Sequence, residues 1–245
     1  MHIEDADFVP VKDRKWGGTL IRIFIGIACL ALIAALGLRM LGWQDNRQLE
    51  ELVLVNAWNS VDSTGYSADL TDIGNDMKAD KTCAEQLKSM MDDCASAGNQ
   101  PLICSAYRSR ETQQALYDDK IQRLVDEGVS AGEAPGLAAT SVALPGTSEH
   151  ELGLAFDIVD YNYQVLDEAQ KDTPTAQWLT ENCWRYGFIL RYPDGKQDTT
   201  GITYEPWHFR YVGRAAAEQI SQMGITLEEY VSMFYNEQAT ITYGD

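Results

Sequence analysis

From Ile23 to Leu38 the chain carries no charged residue, and Arg22 and Arg39 bracket this run. Widened to Leu20–Trp43 it spans 24 residues, enough at ~1.5 Å per residue to cross a hydrocarbon core of ~30 Å. The two arginines can snorkel towards headgroups, and Trp16 and Trp43 fall where the two interfaces would lie. Lys12, Arg14 and Lys15 precede the run, which keeps the N-terminus in the cytoplasm and the bulk of the chain outside. A cleaved signal peptide is the rival reading, but the run is long for one and Gly37-Leu38-Arg39 makes a poor cleavage site. The layout expected is a short cytoplasmic segment over 1–19, a single-pass membrane anchor over 20–43, a polar stalk over 44–51, one extracytoplasmic domain over 52–236 and a tail over 237–245.

A net charge of −18 argues against nucleic-acid partners, because phosphate binding runs on Lys and Arg. Only His2, His150 and His208 supply imidazole, so any site that needs it has a short list. Cys83, Cys94, Cys104 and Cys183 all follow the anchor, and in an oxidising compartment four cysteines suggest two disulfides. Cys83 and Cys94 fall on one expected helix, roughly 16 Å apart, too far to bridge one another. Two pairings remain, beside the alternative of free thiols. A zinc site of cysteines is disfavoured because no C-x-x-C pair occurs.

Apolar spacing and breakers outline the domain. Strands are expected over 52–55, 101–106, 154–159, 188–191 and 204–212, and helices over 83–97, 109–127, 175–186, 214–223 and 226–235. The last opens on a Thr226/Glu229 capping pattern. Residues 56–80 read as loop with brief structure, and 128–147 as a surface loop. Trp58, Trp178 and Trp184 read as packing residues. The fold class is α+β, a mainly antiparallel sheet flanked by helices.

Two segments carry chemistry: Ser148-Glu-His150-Glu-Leu-Gly153-Leu-Ala155-Phe-Asp157 and Glu205-Pro-Trp207-His208. Two imidazoles, one carboxylate as third ligand and a spare carboxylate make up the inventory of a catalytic zinc site with an open position for water. On one straight strand His150 and Asp157 would stand ~23 Å apart on opposite faces. The chain must therefore turn between them, at 150–153, where Gly153 permits it. Glu205 precedes Pro206 and is expected to be extended, on or beside the strand that carries His208.

The pattern S-x-H-x-x-G-x-A-x-D followed by E-P-W-H resembles the VanY-type D-alanyl-D-alanine carboxypeptidases, part of a wider group with lysostaphin-type endopeptidases and the hedgehog zinc domain. Ser105-Ala-Tyr-Arg-Ser109 with Gln113, Tyr186–Pro193 and Phe209–Gly213 are similar to the family too, so the resemblance covers roughly 52–235. It implies a hedgehog-like and D-Ala-D-Ala-peptidase-like fold. It implies one zinc ion per chain, held by His150, Asp157 and His208, with Glu205 as catalytic base. Arg108 would stabilise the oxyanion or clamp the substrate's terminal carboxylate, Ser148 and Gln113 would contact substrate, and Trp207 and Tyr192 would line the pocket. The implied substrate is a peptidoglycan stem peptide, cut at its terminal D-alanine. L,D-carboxypeptidase, D,D-dipeptidase or endopeptidase action on the same polymer, or a non-catalytic zinc-containing wall-binding module, are the alternatives.

Overall fold

A computed structural model describes residues 50–235. The expected anchor over 20–43, the segment 1–19, nearly all of the stalk and the tail over 237–245 lie outside these residues. Among the described residues no helix is long and apolar enough to cross a membrane.

The stretch 56–80, expected to be loop with brief structure, contains a hairpin, β1 (Leu70–Gly74) and β2 (Met77–Asp80), paired antiparallel. Its turn residues Asn75 and Asp76 both have positive φ, 54° and 59°, the conformation that two-residue hairpin turns demand and that Asn and Asp tolerate. Asp80 then caps α1 (Lys81–Ser96) by accepting from the Thr82 N–H. Cys83, Leu87, Met90 and Cys94 form the buried stripe of that helix. Helix α2 (Arg110–Asp126), capped by Ser109, packs with the short α3 (Ala134–Ala138), which lies inside the segment 128–147 expected to be a loop.

The central sheet has four antiparallel strands in the order β3 (Pro101–Ser105), β4 (Ala155–Asp160), β6 (His208–Tyr211), β5 (Phe188–Leu190). Between β4 and β5 lies α4 (Pro174–Asn182), and after β6 come α5 (Arg214–Met223) and α6 (Leu227–Tyr235). The α6 cap forms as expected: the Thr226 N–H donates to Glu229, and the Glu229 N–H donates to the Thr226 hydroxyl. Phe156 and Ile158 of β4 and Phe209 and Tyr211 of β6 face α1 and join Leu87, Met90 and Phe188 in the main core. A second apolar cluster joins Leu52, Ile189 and Val212 to Ala216, Ala217 and Ile220 of α5 and Leu227 and Tyr230 of α6.

Three expectations need correction. Residues 52–55 form no strand, although Leu52 and Val55 are buried. The carbonyls of Glu51 and Val53 accept from the Arg210 guanidinium, which satisfies them without a ladder partner. The strand expected over 204–212 shortens to His208–Tyr211, because a turn at 205–208, closed by the His208 N–H donating to the Glu205 carbonyl at 3.1 Å, occupies its first half. The two disulfides are absent: Cys83, Cys94, Cys104 and Cys183 are all free thiols. Three of them are core residues. Cys104 sits instead at the register shift of β3, its thiol donating to the Asp157 carbonyl. Of the packing tryptophans, Trp178 and Trp184 lie against the two apolar clusters, and Trp58 is exposed.

Candidate metal centre

The segment 148–157 turns where the spacing required it. Ser148 is extended, Glu149–Leu152 forms a single 3₁₀ turn, and Gly153 closes it with φ 70°. A Cβ on Gly153 would stand 2.9 Å from both the Asp80 nitrogen and Leu70 Cδ2, so both the conformation and the space call for glycine. Two backbone bonds pin the turn: the Asp80 N–H donates to the Gly153 carbonyl, and the Arg108 N–H donates to the His150 carbonyl. The chain then enters β4, where Asp157 pairs directly across the ladder with His208 of β6. The 205–208 turn brings Glu205 back beside His208. Glu205 is therefore at the head of a turn beside the strand.

His150, Asp157 and His208, all buried, place one donor atom each within 4.8 Å of one another. His150 Nε2 is 3.3 Å from Asp157 Oδ2, and His208 Nδ1 is 3.2 Å from Asp157 Oδ1. Donors about a tetrahedral zinc with bonds of ~2.0–2.1 Å lie roughly 3.3 Å apart; each imidazole stands at about that spacing from one Asp157 oxygen, and the three side chains are close enough to share one ion. Hydrogen bonding agrees. Among the described residues five buried side-chain polar atoms lack a partner, and four of them belong to Glu149, Asp157, His208 and Arg210. Buried polar atoms are seldom left unpartnered, and a cation supplies what Asp157 lacks. His150 Nδ1 is engaged with the Ala106 carbonyl at 2.8 Å, which frees Nε2 for a metal.

The Glu205 carboxylate stands 3.4 Å from His208 Nδ1, outside the donor set yet next to it. Burial pushes the Glu205 carboxyl up to about 8; His208 and Arg108 pull against the rise, and Asp157 and Glu149 add to it. A divalent cation among the donors would draw it back down. Burial opposes charge on His208 too, but the Asp157 and Glu149 carboxylates that face its two ring nitrogens outweigh it and push the imidazole up to about 9. Burial pushes the His150 imidazole down. Burial would raise Asp157 as well, but the two imidazoles beside it hold its carboxyl well below the usual carboxylate range.

Arg108 reaches the same cluster. Its guanidinium donates to Gln113 Oε1 and to the Ser105 hydroxyl, both at 2.7 Å, and lies 3.5 Å from Asp157 Oδ2. Gln113 is in turn fixed by donating to the Ala143 carbonyl, so the planar group is held from two sides. Ser148 is buried at the start of the ligand turn. Tyr192 is brought in as a wedge: its ring packs on His208 with centroids 4.8 Å apart, and the Arg191 guanidinium lies over it. Trp207, between the base and the ligand, is half-buried, and its carbonyl accepts from the Ile158 N–H.

Residues 76–214 match the family model described as VanY, D-alanyl-D-alanine carboxypeptidase. The chain belongs to this family. The D-alanyl-D-alanine carboxypeptidase of Enterococcus faecalis is 38% identical over 190 residues, covering 77% of this chain and 68% of that protein. A crystal structure of the vancomycin resistance D,D-pentapeptidase VanY from a VanB-type cassette in complex with Zn(II) has a TM-score of 0.68 at 38% identity, covering 74% of this chain and 99% of that one. The structure of the LdcB LD-carboxypeptidase has a TM-score of 0.64 at 35% identity, covering 74% of this chain and 86% of that one.

Three buried residues of the site carried no role in the sequence reading. Glu149 accepts from Arg191 Nε at 2.7 Å, and its Oε1 lies 2.9 Å from a terminal nitrogen of Arg210. Both guanidiniums are fully buried. A signal was present: Arg191 directly follows the apolar run Phe188–Leu190 and Arg210 sits between Phe209 and Tyr211, where an unpaired charge would be expensive.

Proposed function

We propose that the protein is a zinc D,D-carboxypeptidase that hydrolyses the terminal D-alanyl-D-alanine bond of peptidoglycan stem peptides. The observation that carries this reading is the convergence of His150, Asp157 and His208 with a non-ligating carboxylate, Glu205, beside them.

In this reading His150 through Nε2, Asp157 and His208 through Nδ1 hold the metal. When bound, zinc lowers the pKa of water towards ~7 and polarises a carbonyl oxygen. Glu205 accepts the proton of the attacking water and later delivers it to the amine nitrogen of the leaving D-alanine. A carboxyl whose burial raises its affinity for protons suits both halves of that transfer. Arg108, clamped by Gln113 and Ser105 with no freedom to swing away, presents its fork either to the developing oxyanion or to the substrate's terminal carboxylate. Ser148 and Gln113 contact substrate, and Trp207 and Tyr192 line the pocket, Tyr192 with its ring packed on His208.

Likeness to an LD-carboxypeptidase supports a second reading in which the scissile bond follows an L-centre. Incubating the protein with defined tri-, tetra- and pentapeptide stems and weighing the products separates the two. Loss of one D-alanine from the pentapeptide alone is expected; conversion of the tetrapeptide to tripeptide would establish the L,D activity instead.

Residues 20–43, uncharged apart from Arg22 and Arg39, are proposed as a single-pass anchor in the cell membrane, with 1–19 cytoplasmic, 44–51 a stalk and the peptidase domain over 52–236 outside. Release of the protein from vesicles by alkaline carbonate, which spares spanning helices, would contradict this placement.

A further inference from the structure

We infer that Glu149 is a positioning residue for the metal ligand His208, held in place by Arg191 and Arg210 and tied through Arg191 to Glu228 on the C-terminal helix.

The inference rests on the zinc reading above and on four geometric facts. Glu149 Oε2 and His208 Nε2 face each other across 3.8 Å, both buried and neither with another partner. Two orphaned atoms facing one another inside a protein interior would form a hydrogen bond after a closure of about 0.6–1 Å. The other oxygen of Glu149 is fixed from two directions, by Arg191 Nε at 2.7 Å and by a terminal nitrogen of Arg210 at 2.9 Å. Arg210 is itself locked by donating to the carbonyls of Tyr211, Glu51 and Val53. The two terminal nitrogens of Arg191 bind both oxygens of Glu228 at 2.8 and 2.6 Å, and Glu228 also accepts from Asn56.

Two carboxylates and two guanidiniums thus balance in charge within the interior, which makes a buried carboxylate tolerable next to a metal site without adding net negative charge there. An acceptor fixed opposite Nε2 requires that nitrogen to carry the proton, which leaves the Nδ1 lone pair free for a metal shared with Asp157. His150 is set the opposite way round, with Nδ1 facing the Ala106 carbonyl and Nε2 towards the metal. The two histidine ligands are therefore assigned opposite tautomers, one fixed by a backbone carbonyl and the other by a charged side-chain network. Because Glu228 lies on α6, seating of the C-terminal helix bears on the same imidazole.

The test uses the full chain in detergent, with only three histidines to assign. Histidine ¹⁵N spectra of the zinc-loaded protein should show His208 protonated at Nε2 and His150 protonated at Nδ1. Zinc affinity of Glu149→Gln, read by competition with a chromophoric chelator, should fall about 10- to 100-fold. Glu228→Gln, which loosens Arg191 without facing the imidazole, should fall less than the Glu149 variant. Protonation of His208 at Nδ1 overturns the inference even if the variant fails to fold, as does an affinity loss in Glu228→Gln equal to that in Glu149→Gln. A wild-type protein that binds zinc together with an unchanged Glu149→Gln overturns the positioning role alone. A wild-type protein that takes up no zinc overturns the metal reading as well.

Discussion

Strands β4 and β6 show two kinds of interior on opposite faces of the same backbone. Phe156 pairs with Phe209 across the ladder and both point into the core against α1. One residue along, Asp157 pairs with His208 and both point to the other side, among Glu149, Glu205, Arg108 and Arg210. The two faces are equally dry, since all of Ala155–Asp160 and His208–Tyr211 is buried. They differ in what burial does. On the apolar face a fully buried Phe contributes roughly 1.5–3 kcal/mol by leaving water. On the polar face every charge has to be matched, and four side-chain atoms in and around the donor set still lack a hydrogen-bond partner. One face stabilises the sheet, and the other uses that rigidity to hold a site that would not assemble by itself.

If the faces divide the work in this way, variants on them should separate activity from stability. Glu205→Gln should lower kcat by about 10²- to 10⁴-fold, the usual contribution of a general base, while zinc content and the urea midpoint stay near wild type. A loss that tracks zinc content would show that Glu205 serves as a ligand. Phe209→Ala should do the reverse and reduce unfolding free energy by about 3–5 kcal/mol, with kcat of the remaining folded fraction little changed. Away from both faces, Lys196→Ala breaks the half-exposed pair with Glu229 at 2.9 Å and should shift stability by less than ~1 kcal/mol. The smallest effect is expected from dithiothreitol: with four free thiols in the domain, the melting temperature should not move. A drop on reduction would restore the disulfide pairing that the fold argues against.

Much of the polar face was legible in the sequence, because zinc chemistry admits few residue types and the chain that follows residues 20–43 holds only two histidines. The turn at 150–153 followed from the length of a strand alone, and the Gly153 conformation bears it out. What surrounds the ligands was less legible. Glu149, Arg191 and Arg210 are adjacent in space but distant along the chain, and a charged residue next to a ligand reads as a surface residue until its partners are known. The 70–80 hairpin hid in a polar stretch because its turn signal was two residues, Asn75 and Asp76, and the only alternation, Met77-Lys-Ala79-Asp, spans four residues. The cysteines misled through compartment reasoning. Burial in the core gives Cys83, Cys94 and Cys183 the role of small apolar side chains.

Zinc content of the purified full chain, compared with that of Asp157→Asn, tests the central claim most directly. Asparagine keeps the shape of the side chain on the polar face and removes the charge, so the apolar face and the fold should persist. About one zinc per wild-type chain, close to none in the variant, and matching circular dichroism spectra are expected. Zinc retained in full by Asp157→Asn, or missing from wild type after growth with ample zinc, would contradict the account.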